Sequence, residues 1–585
     1  MRRILHYLSR KQWLMIGLIV SLIIVQVWLD LKIPELITRI TALVQTPGSL
    51  VSDIWQTGAI MMLAAFGSLV SAIVIGFLAA RIGARFAQRL RSLLFNQVES
   101  FSMQEINRFS TASLITRSTN DITQVLMIIV MGVQVLIKAP IMAVWAISKI
   151  YDQGREWTLV TAIGVLVVFV LVGLLILFVM PKFRRMQILT DNITRVMREN
   201  LTGLKVVRAY NAVAYQTAKF EAANEELTDT QLFTTRSMSL MMPVMSTMMG
   251  GISVVIYWIG ARMIDSAAAA DKLPIFSNMV VFSNYAMQVI MSFMMLSMIF
   301  IMYPRASVSA SRINEVLDTE AEILDGPYRD PVPGHEGEIE FRDVGFKYPD
   351  ASEYVLCQIS FQAKPGETVA FIGSTGSGKS TLLNLIPRFF DASEGEVLVG
   401  GRNVKDYTHR GLLNQIGYVP QRAVLFSGTV ASNIAYGDNG RADFEFDIEQ
   451  ALSVAQAKDF VDKMDGGVDA PIARGGTNVS GGQKQRLSIA RAIARKPDIY
   501  LFDDTFSALD YQTDAKLRSE LKRVTGDVTT LIVAQRIGTI MGADQIIVLD
   551  EGRIVGRGKH RELLRDCRVY QEIAASQLSE EELAA

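Results

Sequence analysis

The sequence predicts a membrane all-α, six-helix transmembrane domain followed by a soluble α/β domain of the P-loop type. Three observations predict it. Six apolar segments of bilayer-spanning length lie within the first 303 residues, charge is concentrated in the remainder, and a glycine-rich loop containing Gly378-Lys379-Ser380 follows a short apolar strand. Of the 585 residues 50% are hydrophobic and 20% charged, and mean hydropathy is +0.27; an ordinary soluble domain carries roughly 25% charged residues. Length allows about three or four ordinary domains, and composition divides them into a membrane part and a soluble part. The expected division is a transmembrane domain over 1–325, a linker over 326–338 and a nucleotide-binding domain over 339–585. Lys plus Arg and Asp plus Glu both number 58, so net charge points to no nucleic-acid partner and no acidic one. Cys357 and Cys567 are too few and too far apart for a disulfide framework or a metal motif, and read as ordinary thiols.

A bilayer core about 30 Å thick takes about 20 apolar residues in helix, because a helix satisfies its own backbone groups where no water can. The segments at 12–29, 57–80, 122–148, 157–180, 237–261 and 273–303 qualify, and only the third holds a charged side chain, Lys138. The first follows Arg2, Arg3, Arg10 and Lys11 in the manner of a signal peptide, but it is long enough to span and no small-residue cleavage site follows it. Arg81, Arg85, Arg89, Arg91, Arg108 and Arg117 follow the second segment; Lys182, Arg184, Arg185, Arg195, Arg198, Lys205, Arg208, Lys219 and Arg236 follow the fourth. The positive-inside rule makes both connections and both termini cytoplasmic, in a multi-pass protein of the cell membrane with lipid around it. Residues 86–98 and 192–209 carry apolar side chains at helical spacing, so the membrane helices are expected to run on into cytoplasmic hairpins.

Asp30 and Lys138 are candidates for a substrate path or an intramembrane pair, since charges at depth are expensive and face protein or water. The alternative places Asp30 at the outer interface and has Lys138 snorkel. Met238, Met241, Met242, Met245, Met248 and Met249, with Met287, Met291, Met294, Met295 and Met298, fill the last two segments. Flexible thioethers suit a surface that accepts many shapes, although lipid-facing or packing methionines give the same pattern.

Turn chemistry at Asp325-Gly326-Pro327 and Pro331-Val332-Pro333-Gly334 marks the domain boundary. Beyond it the buried strand 368–372 leads into Gly373-Ser374-Thr375-Gly376-Ser377-Gly378-Lys379-Ser380-Thr381, which is G-x-x-x-x-G-K-[ST] in the strand–loop–helix context the motif requires. Its backbone N–H groups curl around phosphates, Lys379 reaches the terminal phosphates and Ser380 offers a hydroxyl to Mg²⁺, so ATP and Mg²⁺ are the expected cofactors. A second strand, 499–502, ends at Asp503-Asp504, and a carboxylate there is where a P-loop protein holds its Mg²⁺. Between the two motifs, Val479-Ser480-Gly481-Gly482-Gln483 precedes a helix expected to start near Lys484, a second anion-binding nest. One nucleotide needs one such cradle; a second suggests that another chain's nucleotide uses it.

Residues 339–575 resemble the ATP-binding cassette, and the whole chain resembles an ABC exporter half-transporter of the bacterial multidrug type. The resemblance makes Ser480, Gly481, Gly482 and Gln483 the signature that completes a partner's ATP site. It also makes Tyr348 the aromatic that stacks on adenine, Gln421 the lever that senses Mg²⁺ and meets the membrane domain, and Asp510, in Ser507-Ala508-Leu509-Asp510, part of the loop that communicates between sites. Residues 113–121 and 201–209 resemble the segments that carry the coupling helices. Two positions depart from the family pattern: Asp504 stands where a Glu usually orients the attacking water, and Gln535 where a His usually lies near the γ-phosphate. Asp is a methylene shorter, and about 1 Å at the reacting centre costs about 10²-fold; Gln cannot titrate. The resemblance therefore implies a heterodimer with a second half-transporter that supplies the competent site, exporting hydrophobic or amphipathic small molecules by alternating access. A lipid or peptide cargo, an importer subunit, and an ATP-gated channel or regulatory subunit are the rival readings.

Overall fold

The computed structural model describes residues 2–46, 48–151, 155–268, 272–349, 351–438, 446–524 and 526–578. The end of the expected nucleotide-binding domain, from residue 579 on, lies outside the described residues, as do the side chains of Arg184, Met241 and Met298. The chain forms two compact units, one of Met1–Glu99 with Ala112–Thr319 and the other of Ser100–Thr111 with Glu320–Ala585.

The first unit is helical. Its long helices are Arg10–Gln45, Val51–Glu99, Ile122–Tyr151, Arg155–Thr202, Val213–Ser239, Met241–Ser266 and Lys272–Leu317. Among the described residues five helical runs are long and apolar enough to cross a membrane: Arg10–Val44, Val51–Glu99, Thr111–Tyr151, Val213–Ser266 and Lys272–Leu296. The span expected at 157–180 lies inside the helix Arg155–Thr202, whose described apolar stretch is Trp157–Val167. At 1.5 Å per residue the 49 residues of Val51–Glu99 reach roughly 70 Å. That is twice the hydrocarbon thickness, so the basic stretch after residue 80 continues the span as one rod.

Within the run Val213–Ser266 the helix is interrupted at Leu240: Ser237–Ser239 close one helix, and the next, which holds most of the segment expected from residue 237, begins at Met241. Pro243 accounts for the break: it has no N–H to return to Ser239, and proline is tolerated in the first turn of a helix. Between Thr111–Thr116 and Ile122–Tyr151 the chain makes a π-turn, Arg117–Asp121. Its two ends are tied to the last long helix: Arg117 donates to the Glu315 carboxylate and the Arg312 carbonyl, both at 2.7 Å, and Asp121 accepts from Ser309 at 2.8 Å. The segment resembling the other coupling helix is interrupted at Gly203, after which Leu204–Ala209 forms a separate short helix.

The second unit carries two main sheets. β1 (Ile339–Phe346), β2 (Leu356–Ala363), β4 (Glu394–Val399) and β5 (Arg402–Asn403) form an antiparallel sheet in the order β2-β1-β4-β5. β3 (Thr368–Gly373), β6 (Ile416–Val419), β9 (Ile499–Asp503), β10 (Thr529–Val533), β11 (Gln545–Asp550) and β12 (Arg553–Gly558) form the other, in the order β12-β11-β3-β10-β9-β6. All of its strands but β12 run parallel. β3, β9 and β10 are almost continuously buried, as parallel strands covered on both faces must be. Phe341 stacks on Phe361 at 4.6 Å between rings, and both join Leu382, Leu383 and Leu385 of the helix Lys379–Leu385 in one core with β3, β9 and β10. A second core gathers the helices Val430–Ile434, Ile448–Val454 and Gly481–Ala494, and a short pair, β7 (Gly428–Thr429) with β8 (Pro471–Ile472), borders it.

Candidate nucleotide site

Parallel strands deliver their C-terminal ends to one edge of the sheet, and the site is built there. β3 stops at Gly373, the loop turns through left-handed backbone at Gly376 (φ 87°) and Gly378 (φ 92°), and the helix starts at Lys379. At Gly378 a side chain would meet more than backbone strain: a Cβ would lie 2.7 Å from Leu356 Cδ2. Lys379 Nζ donates to the carbonyls of Gly373 (2.9 Å) and Ser374 (2.7 Å) and to Ser377 Oγ (3.2 Å), folded over its own loop. Burial lowers its pKa, with the Asp504 and Asp503 charges opposing. An amine held only by neutral acceptors, two carbonyls and a hydroxyl, is a ready donor for an incoming phosphate.

Ser380 Oγ donates to Asp503 Oδ1 at 2.7 Å. Asp503 is buried at the end of β9, and burial pushes its carboxyl above the usual range, with the Ser380 bond and Lys379 opposing and the Asp504 charge adding to the rise. Two adjacent buried carboxylates facing one desolvated amine make a place where a cation is favourable, so the residues fit Mg²⁺. Among the described residues no group of three His, Cys, Asp or Glu could hold a metal ion. Mg²⁺ binds through one or two carboxylates together with substrate phosphates.

Asp504 follows with left-handed backbone (φ 44°), uncommon outside Gly although Asp is among the side chains that adopt it most. Both amides that the sequence singled out converge on it. Gln535 Nε2 donates to Asp504 Oδ2 at 2.8 Å and Gln421 Nε2 donates to the same oxygen at 3.2 Å. Tyr348 bonds Thr381 Oγ1 through its hydroxyl at 3.1 Å, its ring edge-on to Phe346 and Phe390.

Ser480 caps the helix Gly481–Ala494: its Oγ accepts from Gln483 N, and its own N–H donates to Gln483 Oε1. The helix therefore starts at Gly481, three residues before the expected Lys484, because a Ser/Gln capping box satisfies the orphan N–H groups and carries the glycines into the first turn. Ser480 and Gly481 are exposed and Gly482 half-buried. Asp510 accepts from the Thr513 N–H, and this backbone bond holds its carboxyl below the usual range. Arg536 donates to the carbonyls of Ser507 and Leu509 in the same loop.

In the first unit Lys138 Nζ lies 3.2 Å from Asp30 Oδ2. The two form an ion pair. Ser68 Oγ donates to the other Asp30 oxygen. Sequence reasoning missed Ser68, which lies 38 residues away in the chain, and no local pattern marks it.

Residues 16–293 match the family described as "ABC transporter transmembrane region", and 356–507 match "ABC transporter". An uncharacterized ABC transporter ATP-binding protein of Mycobacterium tuberculosis is 43% identical over 529 residues, 90% of either chain. The chain belongs to the ABC transporters. It is a half-transporter, with one transmembrane region and one ATP-binding domain on a single chain. An ATP-dependent lipid A-core flippase of Aromatoleum aromaticum is 33% identical over 511 residues, 86% of this chain and 82% of its own. A bacterial Atm1-family ABC exporter with ATP bound matches this half-transporter with a TM-score of 0.80 at 24% identity, over 98% of this chain and 100% of that one, so the fold is that of an exporter. ATP-driven transport across a membrane is the activity of this family, with ATP bound and hydrolysed in the domain just described.

Proposed function

We propose that this half-transporter is the subunit with the hydrolysis-impaired P-loop site in a heterodimeric exporter of amphipathic small molecules, lying in the cell membrane with both termini cytoplasmic. The observation that carries this reading is the state of Asp504. A general base needs a free lone pair aimed at the water it activates. Here the shorter carboxylate has one oxygen engaged by two amide donors, Gln535 and Gln421. Neither amide can take up or release a proton, so the site retains the groups that bind ATP, while Asp504, held through one oxygen by Gln535 and Gln421, is left as its one titratable group for orienting water.

In binding, the P-loop amides and Lys379 hold the phosphates, Tyr348 takes the base, and Ser380 with Asp503 holds Mg²⁺, Gln421 alongside. When bound, Mg²⁺ neutralises charge on the terminal phosphates. The exposed signature Ser480–Gln483, unimpaired in this chain, faces a partner's nucleotide, and Asp510 links the two sites. Asp30 and Lys138 lie on the substrate path. A lipid cargo is the second reading: a relative is named for lipid A-core flipping, and a half-buried pair of opposite charges suits a polar headgroup passing between apolar walls.

The test compares Ser480→Ala and Asp504→Ala in the assembled heterodimer at saturating ATP, with nucleotide occupancy measured separately. Ser480 is a donor to charge in the competent site, where losing one donor costs about 10²–10³-fold, whereas Asp504 is already a poor orienter of water. Ser480→Ala is expected to be the more damaging. Abolished hydrolysis in Asp504→Ala with near wild-type turnover in Ser480→Ala would reverse the assignment of the two sites.

A further inference from the structure

We infer that the ends of the first two spans form a binding site for an anionic phospholipid headgroup, built from Arg10, Lys11, Arg81 and Arg85. Gln12, 5% exposed, fixes the two helices at one level: its side chain takes the Ser9 N–H at the start of Arg10–Gln45 and donates to the Ile82 carbonyl of Val51–Glu99 at 3.3 Å. Lys11 precedes that bond on one helix and Arg81 precedes it on the other. All four cations are exposed, and among the described residues none has an acidic partner. Elsewhere in the unit Arg3, Arg117, Arg185, Lys219 and Arg312 each meet a carboxylate, while Arg89 and Arg91, further along the second helix, show no acidic partner among the described residues. Positive charge left unpaired by two helices at one level points to an anion from outside the chain.

The apolar surface leading to these cations says what carries that anion. Side chains four apart share a helix face. Arg81 continues the face of Phe77, 64% exposed, and Arg10 that of Leu14, 76% exposed, with Arg85 one turn beyond Arg81. Trp13 lies exposed beside them, an aromatic of the kind that settles at headgroup level. The acyl chains would lie along the apolar faces and the phosphate between the two basic helix ends. A soluble phosphate would use the cations and leave the apolar faces unused, so the occupant is a lipid. The inference rests on the membrane reading of the first unit, and it is independent of heterodimer formation and of ATP hydrolysis.

The test titrates the purified full chain in detergent with phosphatidylglycerol or phosphatidylcholine and counts bound lipid by native mass spectrometry. Basic side chains at an anionic surface contribute about 1 kcal/mol each, on the order of fivefold, so phosphatidylglycerol is expected to bind at least about tenfold more tightly than phosphatidylcholine. Arg10→Gln/Lys11→Gln/Arg81→Gln/Arg85→Gln is expected to abolish that preference, and Arg89→Gln/Arg91→Gln, further along the same helix, to keep it. ATP binding in the same samples reports on folding and on the half-transporter reading separately. Should the fourfold variant fail to bind ATP, Arg81→Gln/Arg85→Gln decides in its place, with an expected loss of at least about fivefold. A preference that survives the substitutions, or one lost equally in the Arg89/Arg91 control, overturns the inference. Competition by millimolar inorganic phosphate would assign the cations to a soluble anion and overturn it as well.

Discussion

At the scale of single residues, the nucleotide site sets two buried carboxylates side by side, Asp503 and Asp504. Asp503 is desolvated at a strand end, and its carboxyl is raised. The sign of the consequence follows: the folded chain keeps this proton to higher pH than the unfolded chain, so the stabilisation is complete below the unfolded value, about 3.9, and is lost as pH rises through the folded one. At neutral pH the charged Asp503 therefore lowers stability in the nucleotide-free chain. Asp503→Asn keeps an oxygen for Ser380 and removes the charge. Without nucleotide it is expected to melt above wild type at neutral pH, and to lose the extra stabilisation that Mg²⁺ gives over ATP in chelator. Lower melting of the nucleotide-free variant would contradict this account of Asp503. Asp504 was legible as a departure in residue type, since Asp is shorter than Glu wherever it stands. Its left-handed backbone and the two amides on one oxygen were not, because they join residues 83 and 31 positions away.

At the scale of elements, hydropathy and turn chemistry located what is local. The spans, the P-loop helix and the capped signature helix each carry their signal within one or two turns of sequence. The break at Leu240 was also written locally, in Pro243, but the apolar segment read from residue 237 runs straight across it. The π-turn Arg117–Asp121 carries no pattern of its own; its geometry goes with bonds to a helix nearly two hundred residues later. The Asp30–Lys138 pair joins the first and third spans in the same way, and it makes a prediction that a snorkelling lysine does not. Removing one partner from a pair withdrawn from water leaves an uncompensated charge, whereas replacing both is often neutral; the half-buried Asp30 and Lys138 call for a smaller cost than a fully buried pair. Lys138→Met alone is expected to reduce the yield of folded protein in detergent, and Asp30→Asn/Lys138→Met to restore it. Additive losses in the double variant, measured by size-exclusion recovery, would show that the two charges do not stabilise one another.

At the scale of the whole molecule, a helical membrane unit and an α/β ATP-binding unit are joined in one chain, the organisation of an ABC half-transporter. The asymmetry proposed for it comes down to whether Asp504 and Gln535 alone limit hydrolysis at this chain's P-loop. The most direct measurement is steady-state ATPase of the purified chain by itself, beside the variant Asp504→Glu/Gln535→His, with ATP occupancy measured in both. The account predicts full occupancy with turnover near background for the wild-type chain, and a gain on the order of 10²-fold in the variant, since about 1 Å of reach is worth that much at a reacting centre. Robust turnover by the wild-type chain alone, or no gain in a variant that still binds ATP, would contradict it.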